Sequence, residues 1–170
     1  MDDFWIRHYD IPRDAPCEGW ARVVLSSDGF FATVSDWGNY AFWWGSPGME
    51  FRRFVIRLVE SPDYVIGKLS PRPWEYDGDE SCKSIKRAIL DLRRHGGLTA
   101  DQAREEWALL EEHEDVDGIA AFTRWHDETT LGDAHEHYCT SPPGQLVAFC
   151  KRILPRLAEM LKKELEAEEP

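Results

Sequence analysis

The hydrophobic pattern of this chain changes period near residue 48. Before that point, segments rich in aromatic and β-branched residues alternate with turn signals such as Asp28-Gly29, which indicates antiparallel strands at 4–11, 20–26, 30–35 and 40–44. After it, apolar residues recur every three or four positions, which is typical of amphipathic helices. The sequence therefore predicts an α+β fold, in which an N-terminal antiparallel sheet of three to four strands packs against a C-terminal set of helices.

The length of 170 residues suits a single domain spanning 1–170. We expect a sheet-rich half over 1–76, which includes a helix at 49–59, and an acidic helical half over 79–170. The polar face of the helix at 49–59 is predicted to carry Arg52, Arg53 and Arg57. Pro155 is predicted to kink or interrupt the last helix.

The charge of the chain is unevenly distributed. Lys and Arg number 20 against 32 Asp and Glu, a net charge of −12, and residues 99–170 carry −10 of it. Between 101 and 136 there are 12 acidic residues and two basic ones, Arg104 and Arg124. This balance argues against direct binding to nucleic acid. The acidic N-terminus and the absence of a long apolar run predict a soluble, cytoplasmic protein with no membrane partner.

Catalytic and cofactor motifs are not found in the sequence. It contains no GxSxG, GxxxxGK[ST] or GxGxxG pattern, and its paired carboxylates are too numerous to indicate a general acid and base. His135 and His137 would share one face of a short strand at 135–139, as two metal ligands can, but their spacing matches no known ligand motif. We therefore predict no enzyme, no cofactor and no metal, with a structural or surface role for both histidines.

The aromatic segment at 40–44 poses a separate question. On a strand, Tyr40, Phe42 and Trp44 would point to one face and Trp43 to the other. One face must contact the helices. The other is either covered by the chain itself or left exposed for a partner.

The acidic run can also be interpreted as a binding surface. Carboxylates spread over a helix, a turn and a second helix could imitate the phosphates of a nucleic acid and so bind a basic groove. The predicted partner-binding residues are these carboxylates together with two aromatic anchors: Glu105, Glu106, Glu111, Glu112, Glu114, Asp115, Asp117, Asp127, Glu128, Asp133, Trp43 and Trp74.

Several segments resemble a widespread group of small proteins encoded by tailed bacteriophages and prophages. The segments that carry the resemblance are YDIP (9–12), GFFATVSDWGNYAFWW (29–44), FRRFVIRL (51–58), DYVIGKLS (63–70), AREEW (103–107) and FCKRILPRL (149–157). The resemblance implies no catalytic residues. It implies a context in which small acidic proteins inhibit bacterial immunity, including CRISPR complexes.

The leading hypothesis is therefore an anti-CRISPR-like, anti-defence protein. It would act in the bacterial cytoplasm by stoichiometric binding to a host protein or ribonucleoprotein effector with a basic surface. One alternative is a small metal-dependent hydrolase or nucleic-acid-processing enzyme that uses His135 and His137. Another is a phage structural or assembly protein whose aromatic sheet pairs with a second copy as a homodimer.

Overall fold

The computed structural model describes residues 4–14, 16, 18–113 and 118–168. The chain forms two compact units. The sheet unit comprises the described residues of 1–73 and 142–170, and the helical unit comprises those of 74–141. In the part of the chain that is described, no helix combines the length and the apolar character needed to cross a membrane.

The sheet unit begins with a four-stranded antiparallel meander. Its strands, in the order in which they pair, are β1 (Ile6–Ile11), β2 (Ala21–Ser26), β3 (Phe30–Ser35) and β4 (Gly38–Trp43). The β2–β3 turn requires glycine, since Gly29 has a φ of +95° and a Cβ there would lie 2.0 Å from the carbonyl oxygen of Trp44. The predicted sheet and its Asp28-Gly29 turn are confirmed.

Four helices accompany the sheet in this unit: α1 (Phe51–Leu58), α2 (Pro62–Leu69), α6 (Gly144–Arg152) and α7 (Leu154–Glu168). Their apolar sides form one core with Tyr9, Val23, Leu25 and Phe31 from the sheet. The last helical segment breaks at Ile153, two residues before Pro155, as expected from the missing N–H of proline. The α+β prediction is confirmed.

The helical unit has a core of its own. Its elements are β5 (Glu75–Tyr76), α3 (Gly78–Arg94), α4 (Ala100–Glu112), α5 (Ile119–Glu128), a 3-10 helix (Ala134–His137) and β6 (Thr140–Ser141). Helix α4 starts with a complete capping box between Thr99 and Gln102. The core residues are Ile85, Ile89, Leu110, Phe122, Trp125, Leu131 and Ala134. The prediction of a single domain over 1–170 remains a prediction.

Two local predictions are wrong. The strand predicted at 135–139 is a 3-10 helix that follows Asp133 in the left-handed region, and this turn places Ala134 in the core. Arg52, expected on the polar face of the first helix, is buried, with 7% of its side chain exposed. It is buried because carboxylates from a distant helix surround it.

Arg52 is the centre of an ion-pair cluster that connects α7 to β1 and α1. Its guanidinium donates to Glu164 at 2.6 Å, to Glu168 at 2.9 Å and to Glu50 at 2.7 Å. Arg7 on β1 also pairs with Glu164 and Glu168. We call these five residues the Arg52 cluster. They hold together segments that are more than 100 residues apart in sequence.

The Arg52 cluster predicts a loss of stability in acid. Hydrogen bonds from Arg52 and Arg7 lower the pKa of Glu168 from 4.5 to about 2. A carboxyl whose pKa is lower in the folded chain stabilises the fold above its unfolded pKa, and this stabilisation is lost as the pH falls from about 4.5 toward 2. We expect the urea midpoint of the wild type to fall across this range and that of Glu168→Gln to fall less. Equal acid sensitivity of the two proteins would contradict this prediction.

Candidate functional site

The negative charge of the chain belongs almost entirely to the helical unit. Residues 74–141 include 17 acidic and 7 basic residues, a net charge of −10, whereas the rest of the chain has a net charge of −2. Five of the seven basic residues are on α3. The excess of carboxylates therefore lies on α4, on α5 and in the segments that follow each of them.

Six of the predicted partner-binding carboxylates are exposed. They are Glu105, Glu111 and Glu112 on α4, Asp127 and Glu128 on α5, and Asp133 before the 3-10 helix. We call these six residues the acidic surface. Glu114, Asp115 and Asp117 lie outside the described residues.

Most of the charge on α4 is not neutralised. Glu105 and Glu112 are seven residues apart, about two helical turns, and therefore lie on the same face of the helix. Among the described residues, neither of them forms an ion pair. The one basic residue of this helix, Arg104, pairs with Asp101 at 2.5 Å. Among the described residues, no cation has to be displaced before a partner reaches these two carboxylates.

Glu106, unlike the six exposed carboxylates, does not lie on the surface of the helical unit. It is buried, with a relative exposure of 4%, and its carboxylate accepts three hydrogen bonds from the segment after α5. The Thr129 hydroxyl donates at 2.5 Å, and the N–H and hydroxyl of Thr130 donate at 2.9 and 2.5 Å. Glu106 therefore connects α4 to this segment and does not belong to the acidic surface.

The two predicted aromatic anchors are both exposed. Trp43 is 61% exposed and Trp44 is 6% exposed, so the expected alternation along β4 is observed. The strand register places Trp43 beside Phe30, and Ile6 and Val34 lie on the same side of the sheet; these four residues form the outer sheet face. Trp74 is 60% exposed but belongs to the helical unit. In the described part of the chain, no helix covers Trp43.

The candidate metal ligands are not brought together. His135 is exposed, whereas Nδ1 of His137 lies 2.9 Å from the Ser84 hydroxyl. Burial lowers the pKa of His137, which favours its neutral form. Within the described ranges, no group of three or more His, Cys, Asp or Glu side chains is arranged to hold a metal ion.

A cleft of about 680 Å³ in the helical unit was not expected from the sequence. It lies where the start of α3, the end of α4 and the start of α5 meet, and its lining includes Tyr76, Asp79, His113, Phe122 and Trp125. With Ser141, the lining residues come from four separate segments, so no local pattern identifies the cleft. The one signal in the sequence is the pair Phe122 and Trp125, two aromatic residues at helical spacing in an otherwise acidic segment.

Comparison with known proteins places the chain in a family. The model of Phage_phiTE_072, described as a phage family, matches residues 6–163. The match includes all the strands, the acidic surface and nearly all of the helices. No curated protein and no solved structure matches the chain. The protein is thus a member of this phage family.

Proposed function

We propose that this phage protein inhibits a bacterial defence effector by binding to its nucleic-acid-binding groove. The observation that carries the proposal is the concentration of charge between residues 101 and 136, where 12 acidic residues accompany two basic ones. The target is a host protein or ribonucleoprotein, such as a CRISPR complex, in the bacterial cytoplasm. The phage protein binds the effector itself and does not bind nucleic acid.

Electrostatics explains how the acidic surface acts. A basic groove evolved for phosphates attracts any dense set of carboxylates, which accelerates encounter and orients the two proteins. Exposed charges interact over about 8 Å at physiological salt, so the carboxylates of α4 and α5 act together at short range. Bound stoichiometrically, the protein excludes DNA or RNA from the groove.

Affinity requires apolar contacts in addition to charge. Exposed charge pairs at the rim of an interface contribute mainly to the association rate, while buried aromatic anchors contribute most of the binding free energy. Trp43 and Trp74 are large, exposed rings that such an interface could bury. Trp74 belongs to the unit that carries the acidic surface and is the proposed anchor there, and Trp43 is proposed as a separate anchor on the sheet unit.

A charge-reversal variant tests the proposal. Glu105→Lys, Glu112→Lys and Asp127→Lys together change the net charge from −12 to −6. The matched control reverses three exposed carboxylates of the sheet unit, Glu60, Asp63 and Glu166, and reaches the same net charge. We expect the acidic-surface variant to bind the effector at least about tenfold more weakly, and the control to remain within about twofold of the wild type.

The measurement has two stages. Immobilised wild-type protein captures its effector from host lysate, and the purified effector is then titrated with labelled duplex DNA or RNA in the presence of each variant. The wild type should displace the nucleic acid at a one-to-one ratio. Equal loss of affinity in both variants, or a captured protein that does not bind nucleic acid, would contradict the proposal.

The outer sheet face favours one alternative function, that of an assembly protein. Ile6, Phe30, Val34 and Trp43 are exposed apolar residues on one side of the sheet, and Phe30 and Trp43 are paired directly. The charges beside them neutralise each other, because Arg22 pairs with Asp10 at 3.1 Å, so this face does not repel a second copy. Light scattering at several concentrations tests this alternative, since a monomer at every concentration would exclude pairing through the sheet.

A further inference from the structure

The walls of the cleft in the helical unit are aromatic. The Tyr76 and Phe122 ring centroids are 6.0 Å apart, and those of Phe122 and Trp125 are 5.5 Å apart. Tyr138 extends the same cluster, with its ring centroid 5.1 Å from that of Tyr76. The volume of about 680 Å³ is in the range of ligand sites in proteins. Phe122 and Trp125 are buried, whereas Tyr76 is half-buried, so the Tyr76 ring can contact a flat or cationic group in the cleft.

The mouth of the cleft is acidic. Asp77 and Asp79, at the start of α3, both line it. Asp77 caps the helix by accepting the N–H of Glu80 at 2.9 Å, and this hydrogen bond lowers its pKa, so it carries a negative charge at neutral pH. The carboxylate of Asp77 offsets the positive end of the α3 dipole. Asp79 is exposed, and its carboxylate has no ion pair among the described residues.

His113 provides an independent indication of a ligand. It lines the cleft with a relative exposure of 8%, and its Nε2 atom, which has almost no accessible surface, has no hydrogen-bond partner among the described residues. A carboxylate oxygen of Glu128 is 3.6 Å from Nε2, beyond hydrogen-bond distance. Buried polar atoms without a partner are uncommon, and a neutral imidazole nitrogen can accept a hydrogen bond from a bound donor.

We propose that the cleft binds the guanidinium group of an arginine side chain on the partner protein. The inference rests on the proposed function, because that function supplies a basic partner. A guanidinium is planar and carries five N–H donors, so it can stack on the half-buried Tyr76 ring while donating to Asp79. A rotation that turns Nε2 of His113 toward the cleft would give the guanidinium a second acceptor. The strongly hydrated ammonium group of lysine does not stack in this way. The cleft would therefore select arginine over lysine among the cations that the acidic surface attracts.

Binding of short peptides to the whole protein tests this inference. Tetra-arginine and tetra-lysine amides are titrated into the wild type, Asp79→Asn, Tyr76→Leu and Tyr76→Phe in a calorimeter. The matched control is Asp101→Asn, since Asp79 and Asp101 both occupy the second position of their helices and are both exposed. We expect tetra-arginine to bind several-fold more tightly than tetra-lysine. Asp79→Asn and Tyr76→Leu should each weaken the binding of tetra-arginine about five- to tenfold. The affinities of Asp101→Asn and Tyr76→Phe for this peptide should stay within about twofold of the wild type.

The outcomes separate this inference from the proposed function. Equal affinity for the two peptides, or equal weakening by Asp79→Asn and Asp101→Asn, would overturn the arginine site. The proposed function would still hold if the charge-reversal variant no longer bound the effector while Asp79→Asn bound it normally. If the effector bound normally to the charge-reversal variant while the peptide results matched expectation, the cleft would stand as an arginine site and the groove-blocking mechanism would fail.

Discussion

Replacing Arg52 with alanine is expected to lower the free energy of unfolding by about 3 kcal/mol. The side chain is 7% exposed, and its guanidinium makes three charged hydrogen bonds, to Glu50, Glu164 and Glu168. Without it, three carboxylates remain close together with Arg7 as the cation that pairs with two of them. Removing one partner of an ion pair leaves the other charge without its counter-ion, and the three carboxylates, whose side chains are 25–44% exposed, are then only partly hydrated.

Urea unfolding at pH 7 measures this loss. The matched control is Arg57→Ala, which removes an exposed arginine from the same helix and should change the free energy of unfolding by less than about 0.5 kcal/mol. Arg52→Met keeps much of the apolar volume of the side chain but not its charge, and it should be almost as destabilising as the alanine variant. A loss below about 1 kcal/mol in Arg52→Ala would show that the carboxylates are hydrated and that the cluster is not essential to the fold.

Arg52 also shows where sequence patterns stop being informative. The helix at 51–58 follows from its apolar period, but the same period assigns all three arginines to the polar face. Arg52 is buried because Glu164 and Glu168, more than 100 residues later, surround it. The prediction that Glu106 belongs to the partner-binding surface is wrong for the same reason. Its carboxylate accepts hydrogen bonds from Thr129 and Thr130, more than 20 residues away. A buried charge depends on distant partners, which a local pattern does not contain.

Features that depend on neighbouring residues were predicted well. The Asp28-Gly29 turn and the alternation of Trp43 and Trp44 each follow from backbone geometry over a few residues. The acidic surface was also predicted in large part, because exposed charge is the ordinary state of a carboxylate. The cleft was not predicted, since four separated segments must fold together before it exists.

Trp125→Ala should destabilise the helical unit by about 3–5 kcal/mol and leave the sheet unit almost unchanged. Trp125 is 1% exposed and packs against Phe122, and its removal leaves a cavity in a core that none of the buried residues of the sheet unit shares. Cores without common residues can open independently as separate cooperative units. The sequence alone predicted a single domain over 1–170, so this variant also tests that prediction.

Native-state hydrogen exchange resolves the two units. In Trp125→Ala, amides of α3 and α5 should exchange at least about a hundredfold faster, while those of β2 and β3 keep their protection. Phe149→Ala is the reciprocal variant, because Phe149 is buried in the core of the sheet unit, where its ring centroid lies 6.3 Å from that of Phe31. It should accelerate exchange in β2 and β3 and spare α3 and α5. Equal acceleration of both regions in either variant would show that the chain unfolds as one cooperative domain. If Trp125→Ala does not fold well enough to measure, Trp125→Phe should give the same pattern with a smaller amplitude.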